Sequence, residues 1–286
     1  MKIVDLHTHS TFSDGSYTPI ELVSMAKKAG LAALAITDHD NISAFKEAKE
    51  YAQDIGIELY SGIEMSVNYR GGQIHMVGLG FDIDDPYFQN AYRRFRQLKE
   101  DCVKVIHSWL KSRGVSITDE QLAPYKKDGI VDRYTFFRYF ASGKSQEDVQ
   151  YIWDEYLDPA LKGMHVDIEV QDAICMIKEA GGVTSLAHFH KTLGLKRFSV
   201  EERELCIKEL KEMGMDALEV QYPDFSPNDK KFITAMAEKY SLYQTGGTDF
   251  HGNNRPSVEL GTGIKNNLSI PYKWTKFIPK RYPSLS

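Results

Sequence analysis

Strand-like and helix-like segments alternate along this chain, and that alternation restricts its fold more than any other feature. Residues 3–7 read as a strand. Thr18, Pro19 and Glu21 then form a helix-start signal: a capping threonine, a proline for the first turn and a glutamate to close a capping box. That helix ends at Gly30. A strand over 32–36, a helix over about 42–55, a strand over 58–66, a turn at Arg70-Gly71-Gly72 and a strand over 74–81 follow. From about residue 87 to 170 the rhythm stops, in a stretch rich in Lys, Arg, Glu, Tyr and Phe that reads as helical. It resumes with a helix to Gly181, strands over 183–187, 217–221 and 243–245, and helices over about 199–213 and 228–240. Repeated βαβ units require parallel neighbours. The pattern therefore predicts a mainly parallel α/β sheet or barrel built from residues 1–86 and 171–286, with residues 87–170 inserted as a helical subdomain. The tail after Thr262 has no clear periodicity.

The chemistry-bearing residues cluster where the predicted strands end. His7-Thr8-His9 opens the set; alternate residues of a strand share a face, so both imidazoles converge. Asp14 lies in a Ser-Asp-Gly turn. Thr37-Asp38-His39-Asp40 follows the second strand, with Asp38 suited to orienting a ligand and Asp40 to capping the next helix. Glu64 sits on an apolar strand, where a carboxylate needs either a metal or a buried counter-charge. His75 lies on the next strand between Ile74 and Met76. His188 ends the strand at 183–187, with His190 and Lys191 just beyond. Gly246-Gly247-Thr248-Asp249-Phe250-His251 ends the last, and its glycines allow close backbone approach. His107 and His165 lie in the helical stretch and read as surface residues. Together these motifs place nine ligand-type side chains at the ends of successive strands, where α/β barrels build their sites.

Composition narrows the partners. The 286 residues suffice for one large α/β domain or a domain plus an insertion. A net charge of −5 argues against long duplex DNA and leaves a short or small phosphorylated substrate open, since metal ions can supply positive charge locally. The three cysteines are scattered, which fits a reducing cytosol, and there is neither a signal peptide nor an apolar run of membrane-spanning length, so the chain is expected in the cytoplasm.

These motifs together resemble the PHP (polymerase and histidinol phosphatase) superfamily, from His7-Thr8-His9-Ser10 through Asp14, Thr37-Asp38-His39-Asp40, Gly62-Ile63-Glu64, His75 and His188 to Thr248-Asp249-Phe250-His251. The resemblance implies a distorted (β/α)7 TIM-like barrel, with the insertion covering the active site. It also implies two to three divalent ions: manganese, iron or zinc in preference to magnesium. By that analogy His7, His9, Glu64 and Asp249 hold one ion. Glu64 bridges to a second with His75 and His188, and Asp14, His39 and His251 hold a third. Three divalent ions on three carboxylates leave a net charge of about +3, which suits a phosphate and a water acidified toward a pKa of about 7.

The insertion resembles that of the bacterial branch with nucleoside 3′,5′-bisphosphate phosphatases and 5′-to-3′ exoribonucleases acting on short RNA. Two departures bear on the substrate pocket. That branch commonly carries Arg-Pro-His where this chain has Asp132-Arg133-Tyr134, and His-Pro where it has His188-Phe189-His190. Arg133 is expected to clamp phosphate, His190 to act as a general acid or a phosphate contact, and Lys191 to bind phosphate. Within the superfamily the rivals are a cyclic phosphodiesterase and a histidinol-phosphate phosphatase. More distant are an amidohydrolase, which usually needs a bridging lysine, and a non-catalytic PHP module, which often lacks ligands.

Overall fold

In the computed structural model, residues 2–143, 149–162, 164 and 166–280 are described. The first α/β steps run β1 (Val4–Asp5), α1 (Pro19–Lys28), β2 (Ala33–Ala35), α2 (Ser43–Asp54), β3 (Glu58–Tyr60), β4 (Gly62–Tyr69) and β5 (Gly72–Leu79). Thr18 caps α1, and Glu21 bonds back to the cap backbone. Leu22, Val23 and Ala26 turn the inner face of α1 into the core.

Helices then replace the alternation: α3 (Pro86–Ser112), α4 (Asp119–Leu122), α5 (Arg133–Ala141), α6 (Val149–Ile152) and α7 (Asp158–Leu161). A single π-helical turn, Trp153–Leu157, joins the last two. The far half of α3 and these helices enclose their own apolar cluster, including Ile106, Leu110, Phe136, Ile152 and Leu157. Phe88 and Phe95, on the first half of α3, pack instead into the main core. Alternation returns with β6 (Ile168–Glu169), α8 (Val170–Glu179), β7 (Val183–Leu186), α9 (Val200–Glu212), β8 (Ala217–Gln221), α10 (Pro227–Lys239) and β9 (Tyr243–Gly246). In the tail, a 3-10 helix forms at Tyr272–Phe277. No helix among the described residues is long and apolar enough to cross a membrane.

The strands do not form one closed sheet. Among the described residues β1-β2-β3 make a parallel sheet of three, and β6-β4-β5-β7-β8-β9 a mixed sheet of six. Five of the seven strand pairings among the described residues are parallel, as expected of a mainly parallel sheet, and β5 is the exception, antiparallel to both β4 and β7. The reason is the turn between β4 and β5. Arg70 and Gly71 both have positive φ, +49° and +72°, as a two-residue turn matched to strand twist demands, and such a turn makes a hairpin. The two sheets meet at two seams, the parallel bridges Thr8↔Phe250 and His39↔Glu64. Both seams run through the chemistry-bearing segments, where the backbone leaves regular strand geometry: Asp40 and Asp249 have φ of +54° and +53°.

Thr18→Ala removes the α1 cap. Denaturant unfolding of the metal-free protein should show a loss of about 1 kcal/mol; an unchanged midpoint would mean that the cap contributes nothing.

Candidate metal centre

Past β1 the chain stays extended, and the rings of His7 and His9 point to the same buried place, both at most 1% exposed. Gly247 permits this: a Cβ there would lie 2.1 Å from the His7 Cβ. Asp5 fastens the seam, accepting from the Thr248 backbone at 2.9 Å and from its hydroxyl at 2.5 Å. Asp38 accepts four bonds from Ser10 and Ser13, and the Ser13 hydroxyl lies 3.4 Å from the His9 ring. Asp38 thus acts from behind His9, as expected. Asp40 does not cap α2. Ile42 holds that position without a side-chain cap bond. The Asp40 carboxylate instead accepts from the Ser66 backbone at 2.9 Å and faces Lys99 at 3.2 Å, because its positive φ turns it away from the helix.

Glu64 lies at the centre, fully buried. One carboxylate oxygen, Oε2, is 3.2 Å from His7 Nε2, 3.2 Å from His9 Nε2 and 3.0 Å from His39 Nδ1. The other, Oε1, is 3.0 Å from His75 Nδ1 and 2.9 Å from His188 Nε2. Asp249 Oδ1 faces His9 at 3.0 Å and His7 at 3.5 Å. Asp14 faces His251 Nε2 at 3.3 Å and, at 3.8 Å, both His9 Nδ1 and His39 Nε2.

Three groups have ligand atoms close enough to share a cation: His7 with His9, Glu64 and Asp249; His9 with Asp14, His39 and His251; and His39 with Glu64 and His75. The nine residues singled out as ligands are therefore brought together. The division differs from the analogy at His9 and His39, each of which turns its two ring nitrogens to two different groups, and at His188, which meets the cluster through Glu64. His107 stands apart, packed on Phe136 with ring centres 5.0 Å apart. His165 lies outside the described residues.

The donor set fits cations. His7 Nε2, His9 Nε2, His39 Nδ1, Glu64 Oε2 and Asp14 Oδ1 are buried with no hydrogen-bond partner. Each such atom costs about 1–3 kcal/mol unless something satisfies it. Charge points the same way. Burial pushes the Glu64 carboxyl up, but His7, His39, His75 and His188 outweigh it and hold Glu64 well below the usual carboxylate range. Asp249 is likewise held well below that range, against burial, by His251, His7, His9 and Arg255. Burial alone would lower the His9 pKa, but Asp249 and Glu64 push it up to about 10. In the absence of a cation, protons on His7 and His9 answer the same carboxylates.

Behind the donors stand residues that the sequence did not single out. Glu219 accepts from the His188 backbone at 2.7 Å and sits 3.1 Å from His7 Nδ1, which leaves Nε2 free for the cluster. The Tyr222 hydroxyl donates to Asp249 Oδ2 at 2.5 Å, and Arg255 Nη1 donates to the same oxygen at 2.9 Å. Glu219, on the apolar run Ala217-Leu218-Glu219-Val220, carries the same signal that picked out Glu64. Tyr222 and Arg255 lie in loops with no such signal.

A cavity of about 540 Å³ opens over the cluster. Asp14, His39, His75, His188, Asp249 and His251 line it, together with Tyr134, Phe137 and Trp153 from the helical stretch. Arg133, Lys191, Lys196 and Arg255 bring positive charge to it. Arg133 donates to the Tyr134 hydroxyl at 2.7 Å and to the Ser66 hydroxyl at 2.9 Å. Lys191 lies 3.7 Å from Asp249 and 3.6 Å from Asp224. His190 lines the cavity against Tyr222 and Phe225. Burial first, and Lys191 second, hold its pKa below that of an ordinary histidine.

Because protons and cations compete for His7 and His9, cation binding must release protons. Calorimetric titration of the metal-free protein with Mn²⁺ should give enthalpies that differ between buffers of unequal ionisation enthalpy, in the sense of proton release. The apparent affinity should rise with pH. Identical enthalpies in both buffers would contradict this account.

Residues 5–173 match the PHP domain family. A 5′-3′ exoribonuclease of Haemophilus influenzae is 33% identical over 96% of this chain and 99% of its own length. A 3′,5′-nucleoside bisphosphate phosphatase of Chromobacterium violaceum is 28% identical over 91% of each chain. A solved structure described as an amidohydrolase from Chromobacterium violaceum, with sulfate bound and no metal, superposes with a TM-score of 0.76 at 25% identity, covering 97% of both chains. With a family match over more than half its length and a relative one-third identical end to end, this chain belongs to the PHP domain family.

Proposed function

We propose that this chain hydrolyses a phosphate ester of a small nucleotide-like substrate, a nucleoside 3′,5′-bisphosphate or the 5′ end of a short RNA. The observation that carries the reading is the cluster at the cavity: buried nitrogen and oxygen atoms without hydrogen-bond partners, gathered on Glu64, with arginine and lysine lining the same cavity. In this reading His7, His9, Asp14, His39, Glu64, His75, His188, Asp249 and His251 hold two to three divalent ions. Imidazole-rich ligation favours manganese, iron or zinc over magnesium. When bound, the ions supply Lewis acidity and acidify water toward a pKa of about 7.

The chain's own residues do the rest. Arg133 and Lys191 bind the phosphate and orient it over the cluster. Tyr134, Phe137 and Trp153 exclude water. His190, kept mostly neutral by burial, serves better as a hydrogen-bond donor to the leaving side than as a cationic acid. Glu219 and Tyr222 fix the tautomer of His7 and the orientation of Asp249.

Several features support this reading. The cavity volume falls within the range of small-molecule sites, about 300–1,000 Å³. The two relatives named above act, by name, on a nucleoside bisphosphate and on RNA, and sulfate, a tetrahedral anion like phosphate, is bound in the solved structure. Amide hydrolysis is the weaker reading, because the bridging position carries a carboxylate. Among the described residues the ion-pair partners of Glu64 are all histidines, with no lysine.

The same proposal treats the two sheets as one distorted barrel split at the site, and the helices between Pro86 and Leu161 as an inserted subdomain covering it. The three cysteines are free, in keeping with a reducing cytoplasm.

The test is a phosphate-release screen on protein reconstituted with Mn²⁺, Fe²⁺ or Zn²⁺. It should cover nucleoside monophosphates, bisphosphates, cyclic phosphates, histidinol phosphate and short 5′-phosphorylated RNA. Turnover of a bisphosphate or the RNA is expected, and no turnover of any member by the loaded protein would overturn the proposal. Arg133→Ala should lower kcat/KM about 10–100-fold with metal content intact, the worth of one charged hydrogen bond. Normal kinetics would remove Arg133 from the site.

A further inference from the structure

We infer that Arg138 is a positioning residue for the cation group of Asp14, His39 and His251, and that Asp132 couples it to the loop carrying His39. This rests on the three-ion reading above. Arg138 lies on α5, outside the cavity lining, and its side chain is 12% exposed. Its Nη1 donates to the carbonyls of Phe12, at 3.2 Å, and Ser13, at 2.8 Å. The Ser13 carbonyl and the Asp14 N–H belong to one rigid peptide plane, so fixing that oxygen fixes the direction in which the chain enters Asp14. The remaining bonds of Arg138, from Nε to the Tyr125 carbonyl at 2.9 Å and from Nη2 to the Thr135 hydroxyl at 3.3 Å, anchor the guanidinium to the helical region.

The His39 loop is held by the same device. Arg96 on α3 donates from Nη1 to the Asp40 carbonyl at 2.8 Å, the Tyr92 hydroxyl donates to that oxygen at 3.4 Å, and Lys99 faces the Asp40 carboxylate at 3.2 Å. Tyr92, Arg96 and Lys99 follow helical spacing and share one face of α3. Asp132 joins the two halves. It lies 3.2 Å from Arg96 and 3.9 Å from Arg138, is 4% exposed, and caps α5 by accepting from the Thr135 backbone at 2.9 Å. One buried carboxylate thus sets two guanidiniums, each gripping the backbone next to a different donor of the same cation group. α5 also reaches His75, through the Arg133 bond to the Ser66 hydroxyl 3.4 Å from the His75 ring, but that path runs through neither Arg138 nor Asp132, so losing either of these falls first on the third ion.

The measurement is Mn²⁺ binding by equilibrium dialysis, beside thermal melting of the metal-free proteins. Wild type should bind three ions. R138M, which keeps the bulk and removes the donors, should bind two as before and the third about 10–100-fold more weakly, the usual effect of losing a residue behind a ligand. D132N, which keeps the cap acceptor and loses the charge, should weaken the same ion. Should R138M fail to fold, R138K carries the test: one donor retained, folding intact, and the third ion weakened by less. Three ions in the wild type, with unchanged affinities in R138M or, where that variant does not fold, in R138K, would overturn the inference alone. Two ions or fewer in the wild type would overturn the three-ion reading and the inference with it.

Discussion

A single carboxylate, Glu64, buried among five imidazoles, is the constraint around which the rest of the molecule is arranged. Burying an ionised carboxylate is expensive unless charge is returned to it. Here five imidazoles, His7, His9, His39, His75 and His188, lie within 3.2 Å, and protons on His7 and His9 return charge where no cation does. Those imidazoles arrive from β5 and from the segments that follow β1, β2 and β7. No local stretch of sequence could assemble such a shell; only a fold that brings strand ends to one point can do it. The irregularities follow from this. The sheets part at the two seams that carry the donors, and His188 and Asp249 adopt positive φ, which costs about 1–3 kcal/mol each for non-glycine residues. Such strain persists where the surroundings over-determine it, and here the Glu219 and Asp5 hydrogen bonds do so.

The helical region is tied into the same arrangement. Its aromatic residues line the cavity, Arg133 bonds to Ser66 beside His75, and buried charges on α3 and α5 grip the loops bearing Asp14 and His39. The cluster and the helices are therefore one electrostatic unit, although they come from separate parts of the chain.

Much of this was legible in the sequence, for physical reasons. The α1 cap was readable because capping is local chemistry, and the donors because histidines and aspartates at the ends of apolar strands have few structural uses. Glu64 was readable as a charge on an apolar strand, and Glu219 carries the same sign. Other features were hidden because they depend on tertiary approach. Arg96 and Lys99 look like the solvated face of a long helix, yet they are 5% and 6% exposed. Tyr222 and Arg255 matter only because their loops fold over Asp249. Asp40 has the residue type and place of a cap, but its positive φ redirects it to Lys99. The antiparallel β5 was foreshadowed by Arg70-Gly71-Gly72, since two consecutive residues with positive φ make a hairpin. The break between the two sheets was not, because short strands do not announce where their ladder ends.

On the proposed reading, cations held by Glu64 satisfy the buried donors. Anomalous scattering from crystals soaked in Mn²⁺ tests it most directly. At least two peaks are predicted inside the histidine cluster, within coordinating reach of Glu64. Fully soaked crystals with no peak in coordinating reach of Glu64 would contradict the account.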